Sequence, residues 1–70
     1  MKIIDAKTLG KAIRTRRKEL HYTQAYLSEF TGFSTSFISD LENGKPTVEF
    51  EKALRIIQTL GMDMLIEKRG

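Results

Sequence analysis

Thr23-Gln24-Ala25-Tyr26-Leu27-Ser28-Glu29-Phe30-Thr31-Gly32-Phe33-Ser34-Thr35-Ser36-Phe37-Ile38-Ser39-Asp40-Leu41-Glu42-Asn43-Gly44 decides how the rest of the chain folds. Thr23 is a hydroxyl N-cap for a helix from Gln24 to Thr31, with Leu27 and Phe30 expected to point inward. No acid stands three residues past the cap (Tyr26 is there), so the cap is simple rather than reciprocal. Gly32 ends this helix and supplies the positive φ of a tight turn. Phe33 is expected to bury itself ahead of a second cap, Ser34. The helix that follows, Thr35 to Asn43, has Ile38 and Leu41 as its apolar face and stops at Asn43-Gly44. Thr35, Ser36, Ser39 and Asp40 take the other face. So short and polar a helix is unstable alone, and its neighbours must hold it. Two short helices about a tight turn, the second with a polar leading end, have the geometry for entering a DNA major groove.

The flanking sequence supplies those neighbours. Asp5 can cap a first helix from Ala6 or Lys7 to Leu20, with Leu9, Ala12, Ile13, Arg16 or Arg17, and Leu20 on one stripe. Gly10 weakens that helix by about 1 kcal/mol relative to alanine. Thr47 is expected to cap a fourth helix to Leu60, closed by Gly61. Its stripe is Phe50, Ala53, Leu54, Ile57 and Leu60, widened by Ile56. From 62 to 68 the period changes to two: Met62, Met64 and Ile66 alternate with Asp63, Leu65 and Glu67, the pattern of a short strand. A lone strand exposes unpaired backbone. Its mate is either the same strand of a second copy under twofold symmetry or Lys2-Ile3-Ile4. The alternative is a frayed tail.

Composition limits the function. Seventy residues make one domain, 1–70, near the lower limit for a self-sufficient core. There is no cysteine and one histidine, so neither a thiolate metal site nor a thiol nucleophile exists. No metal, cofactor or enzymatic activity is expected. Lys45 follows a helix and precedes proline, which excludes a phosphate loop at Gly44-Lys45-Pro46-Thr47. No apolar run approaches the roughly 18 residues of a membrane span. Met1 to Asp5 has too little charge and apolar length for a signal peptide. A cytoplasmic protein, nucleoid-associated when bound to DNA, is the expectation. Seven cations precede residue 22 against Asp5 and Glu19, so that segment nets +5, while the remainder nets −2. That asymmetry suits orientation on a polyanion, or it simply solvates a helix.

Thr23-Gln24-(x)2-Leu27, Gly32-Phe33-Ser34 and Ile38-Ser39-(x)-Leu41-Glu42-Asn43-Gly44-Lys45 together resemble the helix-turn-helix of phage Cro/C1-type repressors, the XRE family. The resemblance covers about residues 8 to 61. Lys45-Pro46-Thr47 and Leu60-Gly61-Met62-Asp63-Met64 are similar to the HipB-type antitoxins within it. The resemblance implies an all-α, lambda-repressor-like domain of four to five helices, whose short C-terminal β-strand (Met62, Met64, Leu65, Ile66) pairs across a homodimer. It implies repression at palindromic operator DNA, and a HipA-like kinase toxin as second partner. Other readings are a free-standing repressor without a toxin, or a module acting mainly by binding the toxin.

By the same resemblance, Thr23 and Gln24 sit at the phosphate-binding helix start, and Gln24 braces the recognition helix. Ser34, Thr35, Ser36, Ser39 and Asp40 occupy positions that face DNA, and Arg17 and Glu42 form a structural pair. The chain departs from the family at His21, where glycine usually stands. Histidine tolerates a left-handed backbone better than most residues, so strain is expected there rather than a different fold. Lys45 is the foremost phosphate cation, with Lys11 and Arg14 behind it. Short hydroxyls can approach base edges, but none makes the bidentate contacts that would spell out an operator. Asp40 either accepts from a cytosine amine or pairs with a nearby cation. Phe37 packs on DNA or folds back onto the first or second helix.

Overall fold

The computed structural model describes residues 2–46 and 49–70. Its described residues form four helices: α1 (Ala6–Glu19), α2 (Gln24–Thr31), α3 (Thr35–Glu42) and α4 (Phe50–Thr59). The fold is therefore all-α. Local chemistry sets most of the boundaries. Asp5 closes a capping box with Thr8, whose backbone N–H donates to the carboxylate at 2.8 Å. That backbone bond first, then the Thr8 hydroxyl, holds the Asp5 carboxyl below the usual carboxylate range. Asp5 capping therefore contributes fully above the ordinary carboxylate pKa and fades as pH falls through the lowered value. Thr23 accepts from the Tyr26 amide and Ser34 from the Phe37 amide. His21 takes the left-handed conformation at φ 60°, and Gly32 ends α2 at φ 81°. Thr47, the expected cap of α4, lies outside the described residues. Glu49 stands at that helix's N-cap without a side-chain capping bond.

The core is Ile13 of α1, Leu27 of α2, Ile38 and Leu41 of α3, and Ala53, Ile56, Ile57 and Leu60 from α4 and its end. Two expected core aromatics are outside it. Phe30 keeps 64 % of its surface exposed and Phe50 62 %. On α2 the inward position beside Leu27 belongs to Thr31, whose hydroxyl donates to the Leu27 carbonyl. Phe30 stacks instead on Tyr26 one turn back on the solvent side of α2, and Tyr26 meets half-buried Tyr22 at a tilt. On α4 the stripe is centred on the Ile56 side, which leaves Phe50 at its rim. Phe33 and Phe37 are half-buried, edge to face at 5.6 Å. The Lys52 ammonium lies over both rings, at 5.7 and 5.5 Å. Phe37 thus folds back onto the core beside Phe33, with Lys52 of α4 over its ring.

The expected strand over residues 62–68 is not formed, and no strand occurs among the described residues. Met62 packs on the core, while Leu65 and Ile66 are 81 % and 94 % exposed. Among the described residues no ladder bond joins this segment to residues 2–4. A strand is a property of a pair, and an alternating pattern alone does not supply a mate.

What holds α3 is polar and buried. Arg17 Nε donates to Glu42 Oε2 at 2.6 Å and Arg17 Nη2 to Glu42 Oε1 at 2.9 Å. The remaining terminal nitrogen donates to the Tyr22 carbonyl at 2.8 Å, and Gln24 Nε2 donates to Glu42 Oε1 at 3.1 Å. The hydrogen bond to Glu42 raises the Arg17 pKa further above its ordinary value, so the guanidinium stays charged throughout the accessible pH range. Gly10 lets α1 approach this point: a Cβ there would stand 2.4 Å from the Leu41 carbonyl oxygen and 2.7 Å from that of Glu42. The lost helix propensity at Gly10 is the cost of that approach. Glu42→Gln is expected to destabilise the protein by about 3–5 kcal/mol, since it leaves a buried guanidinium without its counter-charge. Arg17→Met combined with Glu42→Leu should lie closer to wild type than either single change. Urea unfolding of the four proteins checks this, and additive losses would contradict it.

Candidate nucleic-acid interface

Three features of the helical pair bear on a nucleic-acid reading. The first is the start of α2. Thr23 is exposed and engaged as a cap, and by helix geometry the amides of Gln24 and Ala25 have no intrahelical acceptor. Their dipole end suits an anion. Gln24 is half-buried, and its amide nitrogen already donates to Glu42. The bond fixes where the Gln24 side chain stands and leaves its second N–H and its carbonyl for a ligand.

The second feature is the outer face of α3. Ile38, Leu41 and Glu42 are buried, so the helix is anchored along one side. Ser34, Thr35 and Ser36 are exposed at its leading end, and Ser39 and Asp40 are half-buried farther along. Ser34 accepts from the Phe37 amide, and Ser39 accepts from the Asn43 side chain at 3.3 Å. Among the described residues, the Thr35 and Ser36 side chains make no hydrogen bond within the protein. Of the hydroxyls at Ser34, Thr35, Ser36 and Ser39, they are the two left uncommitted.

The third feature is the turn after α3. Lys45 Nζ lies 3.3 Å from Asp40 Oδ2, and both side chains are about half exposed. Of the two readings open for Asp40, the free protein adopts the ion pair with a neighbouring cation. An exposed pair of this kind is worth little, so a phosphate can compete with Asp40 for Lys45.

Sequence reasoning missed several interactions. Gln24 and Glu42 are 18 residues apart, and no local signal links them. Arg16 Nε donates to the Leu60 carbonyl at 3.0 Å, tying α1 to the end of α4. Lys52 bears on Phe33 and Phe37, the residues on either side of the α3 start. Lys7, Lys11, Arg14 and Lys18 are all exposed on α1, and their 4-3-4 spacing was a readable signal that they share one face. No group of acidic or histidine residues able to hold a metal ion occurs among the described residues. No described helix is long and apolar enough to cross a membrane.

The helix-turn-helix family model HTH_3 matches residues 13–65. An uncharacterized HTH-type transcriptional regulator of Sinorhizobium fredii, y4mF, is 43% identical over 62 residues, spanning 89% of this chain and 82% of that protein. The ImmF control region 10 kDa protein of Bacillus phage phi105 is 32% identical over 66 residues, 94% of this chain and 73% of its own length. Among solved structures, a HipB variant in complex with an O2 20mer has a TM-score of 0.90 at 26% identity, over 100% of this chain and 97% of that one. The chain belongs to the XRE-type helix-turn-helix family of DNA-binding transcriptional regulators.

Proposed function

We propose that the protein is a repressor that binds a palindromic operator as a homodimer, with Thr35 and Ser36 of each copy at base edges. The observation that carries this reading is the uncommitted hydroxyl pair at the leading end of a helix whose opposite side is locked by Arg17, Glu42 and Gln24. In this reading Thr23 and Gln24 meet phosphate at the α2 start. Ser34, Ser39 and Asp40 line the groove-facing side, and Lys45 exchanges Asp40 for a phosphate. The HipB chain that the protein resembles is itself seen in complex with a 20mer. Recognition helices of the two copies would enter successive major grooves about 34–36 Å apart.

Dimerisation is assigned to Met62, Met64, Leu65 and Ile66. In one copy the tail and Ile3 rim an apolar groove floored by Leu9, Ala12, Ile13 and Ile57. Leu65 and Ile66 remain in water. Pairing with the same segment of a second copy gives each tail the mate it lacks.

The narrower reading is that this repressor is a HipB-like antitoxin that also binds a HipA-like kinase toxin, and that it resides in the cytoplasm. Likeness to HipB along the whole chain supports it. So does the exposed Tyr26–Phe30 row, which no packing within the protein covers.

Thr35→Ala with Ser36→Ala should lower operator affinity about tenfold, at about 0.5–1.5 kcal/mol per hydrogen bond lost, while binding to mixed-sequence duplex changes far less. Equal loss on both duplexes, read by fluorescence anisotropy, would rule out base readout. A chain ending at Gly61 is expected to sediment as a monomer at concentrations where the full chain is a dimer; an unchanged dimer would move the seam elsewhere. Affinity capture from the native host should recover a kinase-like protein. Its absence under conditions that retain the homodimer favours the free-standing repressor.

A further inference from the structure

Of the twelve cations, four have an ion pair and eight have none among the described residues. Arg16, Arg17, Lys45 and Lys52 each pair with a carboxylate, those of Glu19, Glu42, Asp40 and Glu49. Lys7, Lys11, Arg14 and Lys18 are exposed, and among the described residues none has an ion pair or side-chain hydrogen bond. They are the consecutive members of one stripe. At 100° per residue they fall within about 60° of one another, along about 16 Å of helix. The nearest acids in sequence are engaged elsewhere, Asp5 in capping α1 through Thr8 and Glu19 with Arg16.

This stripe works against the helix that carries it. Like charges three and four residues apart repel. The first turn of α1 holds no acidic residue, so the cap carboxylate of Asp5 alone offsets the positive helix end that Lys7 faces. A solvated face needs charges of either sign, and mixed signs would serve stability better. Four unpaired cations and no acid on one stripe are what a polyanion would use.

Its location connects it to α3. Gly44, just past the end of α3, rests on the backbone of Lys7: a Cβ there would lie 2.7 Å from Lys7 Cα. The stripe therefore begins beside Lys45. Around α1, Gly10 and Arg17 face α3, and Arg16 faces the end of α4. The stripe is centred about 80° beyond the Gly10–Arg17 edge, on the α3 flank and far from the α4 flank.

We infer that Lys7, Lys11, Arg14 and Lys18 form a second nucleic-acid contact surface, which follows the phosphate backbone outward from the end of α3 and does not read sequence. The inference rests on the DNA-binding reading above and adds a surface outside the helix-turn-helix. Axial steps of about 4.5–6 Å between successive stripe residues, with long flexible side chains, suit binding to consecutive phosphates on one strand. Each phosphate so neutralised releases counterions, so the stripe contributes to the salt dependence of binding and not to the choice of operator.

The test replaces Lys7, Lys11, Arg14 and Lys18 with glutamine in the full chain and measures binding to a mixed-sequence 30-bp DNA duplex by anisotropy from 50 to 200 mM NaCl. The slope of log K against log salt should fall by about 3–4 per bound chain, about 0.9 for each phosphate that the stripe no longer neutralises. Preference for operator over mixed sequence should be unchanged. Removing repelling charges is expected to leave the melting temperature equal or higher. If the fourfold variant fails to fold, Arg14→Gln and Lys18→Gln alone should each lower the slope by about 0.9.

Arg55→Gln with Arg69→Gln removes exposed positive charge elsewhere and should leave the slope nearly unchanged. An equal decrease per charge in that control would mean that net charge acts, and the stripe proposal would fall. A steep wild-type slope that the stripe variants retain would also overturn it, with operator binding intact. A flat wild-type slope would sink both readings together.

Discussion

The forked pair of Arg17 and Glu42 is the constraint on which the presentation of α3 depends. Eight apolar residues among those described close the core, but hydrophobic burial has no direction. Ile38 and Leu41 keep α3 against its neighbours and leave its rotation about its own axis weakly fixed. The guanidinium fork has one matching geometry for a carboxylate. Because Glu42 lies in the last turn of α3, satisfying the fork sets which residues face outward. Desolvating two charges offsets much of the attraction between them. The gain is in uniqueness of orientation more than in net stability.

Backbone proximity makes the fork possible. The C-terminal turn of α3 lies against α1 at Gly10, and Gly44 lies against Lys7. Any Cβ at either place would push the two helices apart, and a bond of 2.6 Å would not survive such a shift. Gly44 also carries φ 78°, so it turns the chain and admits the neighbour at once. Glu42 has two donors besides the Arg17 Nε, and no buried side-chain nitrogen or oxygen among the described residues lacks a partner. A fully satisfied network of this kind is rigid where a partly satisfied one is a liability. Gln24 belongs to it, which couples the start of α2 to the orientation of α3. A ligand that meets both therefore meets one preset surface.

Legibility in the sequence followed the range of the interaction. Asp5, Thr23 and Ser34 were readable as caps because each acts within three residues. Gly32, Gly44 and Gly61 were readable because a helix ends by a local left-handed turn. Phe30 and Phe50 misled, since periodicity finds an apolar stripe but not which edge of it the neighbouring helices cover. Ile56, seen as widening the stripe, is at 0 % exposure one of its central members. The Arg17–Glu42 tie came from resemblance, because nothing within 25 residues of chain announces it. Residues 62–68 show the limit most clearly. Their alternation is a real pattern, but pairing belongs to two segments, and among the described residues one copy supplies no strand to pair with it.

Charge counting fails in a similar way. The segment before residue 22 nets +5 by composition, yet its cations are not equivalent. Arg17 is buried and neutralised by Glu42, so it adds almost nothing to the field outside. Arg16 is bound to the Leu60 carbonyl and paired with Glu19. The field that a polyanion meets on α1 comes from the four cations that have no ion pair or side-chain hydrogen bond among the described residues. Those four are also the ones whose mutual repulsion the helix must bear, and α1 can bear it because its other side is held by Ile13 in the core and by the fork to α3. The internal ion pair that orients α3 thus also stabilises a helix whose outer face is, on its own, unfavourably charged.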